Sequence, residues 1–308
     1  MTTFLITNED VSKRLDVFLN EKYPDFSRSH IQNLIKNDDV IVERNNKKLE
    51  KLKTGEKLKN NDKILIEFKQ PQKIDLSPEN IDVEIVYEDD DLAVINKPQG
   101  LVVHPSQSTK NGTLVNALLY KLNNLSGING NLRPGIVHRL DKNTCGLMLV
   151  AKNDFAHVSL AKQIENKTCH RIYQAIIDGK FKEPEGEVIT KIERDKKDRK
   201  KMAVSDSGKI AITKYKTLEF FKDYSLVMFE LKTGRTHQIR VHCKHLHHPI
   251  IGDDVYGGSN KFKLAGQCLC AKKIVFNHPK TKEKMEFEIP LPPFFENILT
   301  FLRKNNAI

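Results

Sequence analysis

Arg139 and Asp141 stand inside Pro134-Gly-Ile-Val-His-Arg-Leu-Asp-Lys-Asn-Thr-Cys-Gly-Leu-Met-Leu-Val-Ala-Lys152, which sets a carboxylate among cations on a short polar turn. Residues 146–151 are apolar and opened by a glycine, and predict a buried strand. Residues 135–140 are apolar too, apart from His138 and Arg139. Arg139, Asp141, Lys142, Asn143 and Thr144 therefore form a polar turn with apolar walls on both sides. A carboxylate held there can enter a water-poor pocket while nearby cations keep it ionised. Yet Asp, Asn and Gly are also ordinary turn residues. Taken alone, the stretch fits an exposed turn better than a catalytic one.

The elements around it read as a small unit followed by a larger one. Residues 1–68 show helical patterns over 13–23 and 27–36 and strand patterns over 39–42 and 62–68. Ser27 is the expected N-cap of the second helix, with Ile31, Leu34 and Ile35 on one face. Residues 69–80 are polar around Pro71 and Pro78 and read as a linker. A mixed body follows over 81–308. Its expected strands are 82–87, 92–96, 146–151, 171–177, 211–220, 225–231 and 269–276. Its expected helices are 113–122, 154–167, 235–246 and 293–303.

With 308 residues, 39% of them hydrophobic, the chain can build one sizeable core and a small satellite. No apolar run reaches membrane length, and residues 1–10 lack a basic-then-apolar leader pattern. Five cysteines without framework spacing fit reduced thiols, so the cytoplasm is the expected compartment and no membrane partner is expected. The net charge of +11 points to an anionic partner. Residues 1–80 are almost balanced, and the excess concentrates in 191–216 and 261–284. Neither block has an amphipathic stripe, so nucleic acid fits better than a membrane surface. On charge alone, a solvated face in a lysine-rich proteome is the better account.

Several motifs then occur in order. They are Asn96-Lys-Pro-Gln-Gly-Leu-Val-Val-His-Pro105, His138-Arg-Leu-Asp141, Arg171-Ile-Tyr173, Leu231-Lys-Thr-Gly-Arg-Thr-His-Gln-Ile-Arg-Val-His242, and His248-Pro-Ile-Ile-Gly-Asp253 with Val255-Tyr-Gly-Gly258. Together they resemble the RluA/RluD-type pseudouridine synthases over essentially the whole chain. Arg14-Leu-Asp16 and Ser27-Arg-Ser-His-Ile-Gln-Asn-Leu-Ile35 resemble the S4-type RNA-binding domain. The resemblance implies an α+β fold: a mixed, mostly antiparallel sheet flanked by helices and loops, preceded by a small S4-like α/β domain over 1–68.

It also implies an isomerase that breaks the uridine N1–C1′ bond, turns the uracil over and rejoins it through C5. No cofactor is expected, and the chain shows no Walker loop or dinucleotide glycine pattern. By resemblance Asp141 is the essential carboxylate, acting on C1′ as a nucleophile or on the 2′ proton as a base. Tyr173 is expected to stack on the target uracil, and its hydroxyl could assist removal of the C5 proton. Arg235 is expected to pair with Asp141, with a phosphate clamp as the alternative. Arg139 would fill the space left by the extruded base, while His138 is expected to be structural. Arg240, Arg28 and Lys36 are expected RNA contacts. Lys97 is either a phosphate contact or a pin at a strand end.

The chain departs from the family pattern at Cys145 for serine, His247 for glycine, Asp254 for proline and Cys270 for histidine. His237, His242, His245, His247, His248 and Cys243 crowd one segment, and His242 and His245 have helical ligand spacing. No metal is expected there, because no carboxylate cluster marks a hydrolytic site. The expected partner is RNA, first large-subunit rRNA and then tRNA, with no obligate protein partner. A non-catalytic RNA-binding or ribosome-assembly factor is the rival reading, since the basic blocks and the first domain would serve it equally.

Overall fold

Alternating and continuous apolar runs separate the strands into two sheets, each in its own unit, Met1–Lys73 and Ile74–Ile308. The computed structural model describes residues 2–24, 28–36, 38–50, 52–66, 76–106, 109–128 and 133–305. Among the described residues no helix is long and apolar enough to cross a membrane.

The first unit comprises β1 (Thr2–Leu5), α1 (Leu15–Lys22), α2 (Arg28–Lys36), β2 (Val40–Arg44), β3 (Lys47–Lys48) and β4 (Lys63–Ile66). Its antiparallel sheet runs β1-β4-β2-β3. Leu15, Phe18 and Leu19 of α1 meet Ile31 and Ile35 of α2 over Val40, Val42 and Ile64 in one core. Asp16 is buried at the helix junction and accepts hydrogen bonds from Arg14, Arg28 and Gln32. Burial alone would raise its pKa, but these donors outweigh burial and bring it to about 2. Ser27, the expected cap, lies outside the described residues.

The second unit comprises β5 (Glu84–Glu88), β6 (Leu92–Lys97), α3 (Leu114–Lys121), β7 (Cys145–Ala151), α4 (Asp154–Glu165), β8 (His170–Asp178), β9 (Glu185–Arg194), β10 (Met202–Val204), β11 (Lys209–Phe220) and β12 (Tyr224–Leu231). It is completed by α5 (Gln238–His245), β13 (Leu269–Asn277), β14 (Lys284–Glu288) and α6 (Pro293–Asn305). One ten-stranded sheet runs β10-β9-β11-β12-β8-β13-β7-β6-β5, with β14 beside β13. Among the described residues only the β7–β13 pair is parallel, so the sheet is mixed and mostly antiparallel.

Every residue of β7 is buried, as its unbroken apolar run requires of a strand covered on both faces. α4 covers β7 and β13, while α5 packs against β10 and β11. Within the expected linker, residues 69–75 lie outside the described residues, but 76–80 belong to the second unit and pack against α3. There the buried Asn116 side chain donates to the Ser77 carbonyl (2.9 Å), and the Glu79 N–H donates to the Asn116 carbonyl (3.0 Å). A buried amide needs partners, and residues 77–79 supply them.

Candidate active site

The polar turn of residues 141–144 is tied down from two sides. Lys97, at the end of β6, is fully buried, and its ammonium donates to the carbonyls of Pro98 (2.8 Å), Leu101 (2.9 Å) and Lys142 (3.0 Å). The Gly100 N–H also reaches the Lys142 carbonyl (2.9 Å). The Gln99 amide bridges the carbonyls of Asn143 (3.1 Å) and Gln267 (3.2 Å), and Gln267 in turn donates to Thr144 Oγ1 (3.0 Å). Of the two roles open to Lys97, the structure gives it the pin.

Burial drives the Lys97 pKa down to about 8, only partly offset by the charges of Cys145 and Asp141. The unfolded lysine titrates near its ordinary 10.5. Between those values the folded state binds fewer protons than the unfolded one, so stability rises with pH. Below pH 8 the cost of the buried ammonium is fully present. Urea denaturation of wild type and Lys97→Met, paired at each pH, is expected to show wild type gaining up to about 3 kcal/mol over the variant between pH 8 and 10.5. A difference flat across that range would mean that Lys97 does not titrate there.

Asp141 presents one oxygen to each of two partners. Arg240 donates to Oδ2 at 3.1 Å, and His237 Nε2 faces Oδ1 at 3.9 Å. Arg240 is itself clamped by Asp253, which is fully buried and accepts from Nε (2.7 Å) and Nη2 (2.8 Å). The Tyr256 ring lies beneath the guanidinium, 5.0 Å from centroid to carbon. Burial disfavours the Arg240 charge, but the hydrogen bonds to Asp253 and Asp141 outweigh it and raise the pKa above its ordinary value. The guanidinium stays charged and fixes the Asp141 carboxylate in place.

The partner expected from sequence was Arg235, and the structure puts Arg240 there instead. α5 begins at Gln238, with His237 at the N-cap position in a left-handed backbone (φ 56°). Arg235 precedes the helix, on a turn tied to β11. Its N–H donates to Gln238 Oε1 (3.0 Å) and its Nε donates to the Ile210 carbonyl (2.9 Å). Arg240 falls in the first helical turn on the buried face, so the expected RNA contact is an interior ion pair.

Tyr173 stands on β8 in register with Ala271 of β13, which is in register with Gly146 of β7. This row sets the phenol beside the mouth of the turn. Gly146 is obligatory, because its φ is +113° and a Cβ would lie 2.3 Å from the Ala271 carbonyl oxygen. Burial pushes the Tyr173 phenol up to about 12, so the ring is neutral and offers a flat apolar wall rather than a ready base. Asp141, Tyr173, Arg139 and Arg235 all line a cleft of about 520 Å³ floored by Leu231 and walled by Arg171. Arg139 is exposed at its edge, with one guanidinium nitrogen 3.5 Å from His104 Nε2. His138 points inward, and its Nε2 accepts from the Leu149 N–H (3.0 Å).

The remaining expected contacts lie elsewhere. Arg28 is half exposed and bonded to Asp16, and Lys36 is exposed in the last turn of α2, both in the first unit. His242 is buried between Thr190 (2.9 Å) and Thr213 (2.8 Å), whereas His245 is exposed, so the two do not converge. His247 holds a left-handed conformation (φ 64°), which explains why glycine is at home at that helix end. Cys145 and Cys270 are register partners across the parallel pair, so both departures fall on one contact. Sequence reasoning weighed His237 only as a metal ligand and passed over Asp253 and Tyr256, although all three lie in motifs it quoted.

The family model described as RNA pseudouridylate synthase matches residues 91–245, which span the turn, Tyr173 and the start of α5. An RNA pseudouridine synthase of Bacillus subtilis, YlyB, is 44% identical over 299 residues, 97% of each chain. A ribosomal large subunit pseudouridine synthase D of Xanthomonas campestris is 35% identical over 316 residues, 98% of this chain and 93% of that one. The solved structure of human RNA pseudouridylate synthase domain containing 4 aligns with a TM-score of 0.56 at 26% identity, covering 71% of this chain and 92% of its own. With these likenesses, the chain belongs to the RluA/RluD-type RNA pseudouridine synthases, isomerases acting on uridine in RNA.

Proposed function

We propose that this synthase modifies large-subunit ribosomal RNA in the cytoplasm, with Asp141 as the reacting carboxylate. The observation that carries the reading is the Asp141 carboxylate held by Arg240 at 3.1 Å on the wall of a cleft it shares with Tyr173. A binding factor would not need a carboxylate fixed in that way. In this reading Tyr173 stacks on the uracil. Arg139, at the cleft edge, occupies the place of the extruded base, whose unstacking costs a few kcal/mol. Arg235 at the cleft mouth takes up a phosphate.

The first unit acts as an S4-type RNA-binding domain, with Arg28 and Lys36 on its RNA face. The rRNA assignment draws on relatives whose names specify the ribosomal large subunit. A pseudouridine map of total RNA from cells with and without the gene, rescued by wild type or Asp141→Ala, tests it. Large-subunit rRNA sites lost with the gene and restored only by wild type are the expected result. Loss confined to tRNA would move the substrate, and no lost site would overturn the reading.

A further inference from the structure

Resting on the reading of Asp141 as the reacting carboxylate, we propose that His237 is a positioning residue for it. Tyr256 sets the imidazole so that an Nε2–H donor faces Oδ1, the carboxylate oxygen that Arg240 leaves open.

Hydrogen-bond bookkeeping along one chain of groups supports this. The Met202 N–H, at the start of β10, donates to the Tyr256 hydroxyl oxygen at 2.9 Å. That hydroxyl lies 2.9 Å from His237 Nδ1, with the two rings edge to face at 86°. Burial pushes the Tyr256 phenol up to about 12, so it keeps its proton, and burial lowers the pKa of His237, so the imidazole is neutral. The phenol oxygen accepts from Met202, and in this proposal its proton goes to Nδ1, the acceptor that lies 2.9 Å away. Nδ1 is then the acceptor and the ring hydrogen sits on Nε2. Nε2 is the atom that faces Asp141, at 3.9 Å. This is longer than a hydrogen bond, as catalytic contacts often are before substrate closes the site.

The backbone adds a second, independent observation. His237 holds φ 56° directly before α5 and makes no side-chain cap bond to it. A left-handed backbone in a non-glycine residue is a strained arrangement that the surrounding fold has to hold in place. His237 and Asp141 both line a smaller pocket of about 50 Å³ that shares Arg139, Tyr173 and Arg235 with the cleft. The other end of the chain of groups is the β9–β10 hairpin, whose Lys191, Arg194, Lys196, Lys197, Arg199 and Lys200 are exposed. This basic hairpin is thereby linked, through one backbone N–H and two side chains, to the Asp141 carboxylate.

The test uses the full-length protein and two conservative variants. Tyr256→Phe keeps the ring beneath Arg240 but removes the hydroxyl. His237→Asn suits the left-handed backbone yet is too short to serve both Tyr256 and Asp141. Tritium release from transcribed large-subunit rRNA and tRNA carrying 5-tritiated uridine gives the single-turnover rate, and filter binding gives the Kd. The expected result is a rate lowered about 10-fold in Tyr256→Phe and about 100-fold in His237→Asn, with Kd unchanged and the melting temperature lowered by only a few degrees through the hydrogen bonds that each variant loses. Nitrogen-15 spectra of the His237 ring should report the Nε2–H tautomer in wild type and a mixture in Tyr256→Phe. A purely structural role would leave both rate and tautomer alone. Wild-type rates in His237→Asn, or an Nδ1–H tautomer in the wild-type protein, would overturn the proposal. Asp141→Asn, run alongside, reports on the underlying reading separately. Full activity there would mean that there is no reacting carboxylate for His237 to position.

Discussion

Asp141→Asn is expected to abolish pseudouridine formation, by about 1,000-fold or more, while RNA affinity stays within about threefold of wild type. The substitution replaces one oxygen with an amide of nearly the same size and removes the negative charge that either route at the ribose requires. Arg240 keeps both of its bonds to Asp253, so the start of α5 should hold its shape. The turn itself hangs on Lys97, Gln99 and Gln267 rather than on the Asp141 side chain. The measurement is tritium release under single-turnover conditions with a filter-binding Kd on the same RNA. A residual rate within tenfold of wild type would remove Asp141 from the chemistry. A parallel loss of affinity would make it a binding residue.

Much of this site was legible in the chain because strand period and turn chemistry are local. The apolar run that became β7, the glycine that opens it and the polar turn before it follow from neighbouring residues alone. Tyr173 was legible because its flanking residues read as strand, and β8 is that strand. β9, β10 and β14 were not, because their charged outward faces hide short inward sets. In β9 only Val188 and Ile192 are buried. The choice of guanidinium was illegible for a different reason. Helix onset decides which arginine faces inward, and onset here depends on Gln238. Its amide donates to the Ile212 carbonyl (3.0 Å) and its oxygen accepts from the Arg235 N–H (3.0 Å), contacts made across 26 and 3 positions of chain. Asp253, the residue that clamps the chosen arginine, is 13 positions on in another loop.

That choice can be tested directly, because the two arginines predict opposite phenotypes. Arg240→Met should destabilise the protein by about 3–5 kcal/mol, since it strands the fully buried Asp253 carboxylate without its partner. It should also abolish activity, because Asp141 loses the donor on Oδ2. Loss of activity through simple unfolding is separated by Arg240→Met combined with Asp253→Asn. Removing the stranded charge should recover much of the stability, measured by urea denaturation, yet restore none of the turnover. Arg240→Lys should also fail, because one ammonium cannot reproduce the forked contact to Asp253 while reaching Asp141. Arg235→Ala should change stability by only about 1 kcal/mol, since its side chain gives up one bond to the Ile210 carbonyl at an exposed site. Its single-turnover rate should stay within about threefold of wild type, with the loss appearing in the Kd for RNA. If Arg235→Ala instead stopped turnover while Arg240→Met with Asp253→Asn remained active, the guanidinium that serves Asp141 during the reaction would be Arg235. The turn before α5 would then have to rearrange when RNA binds.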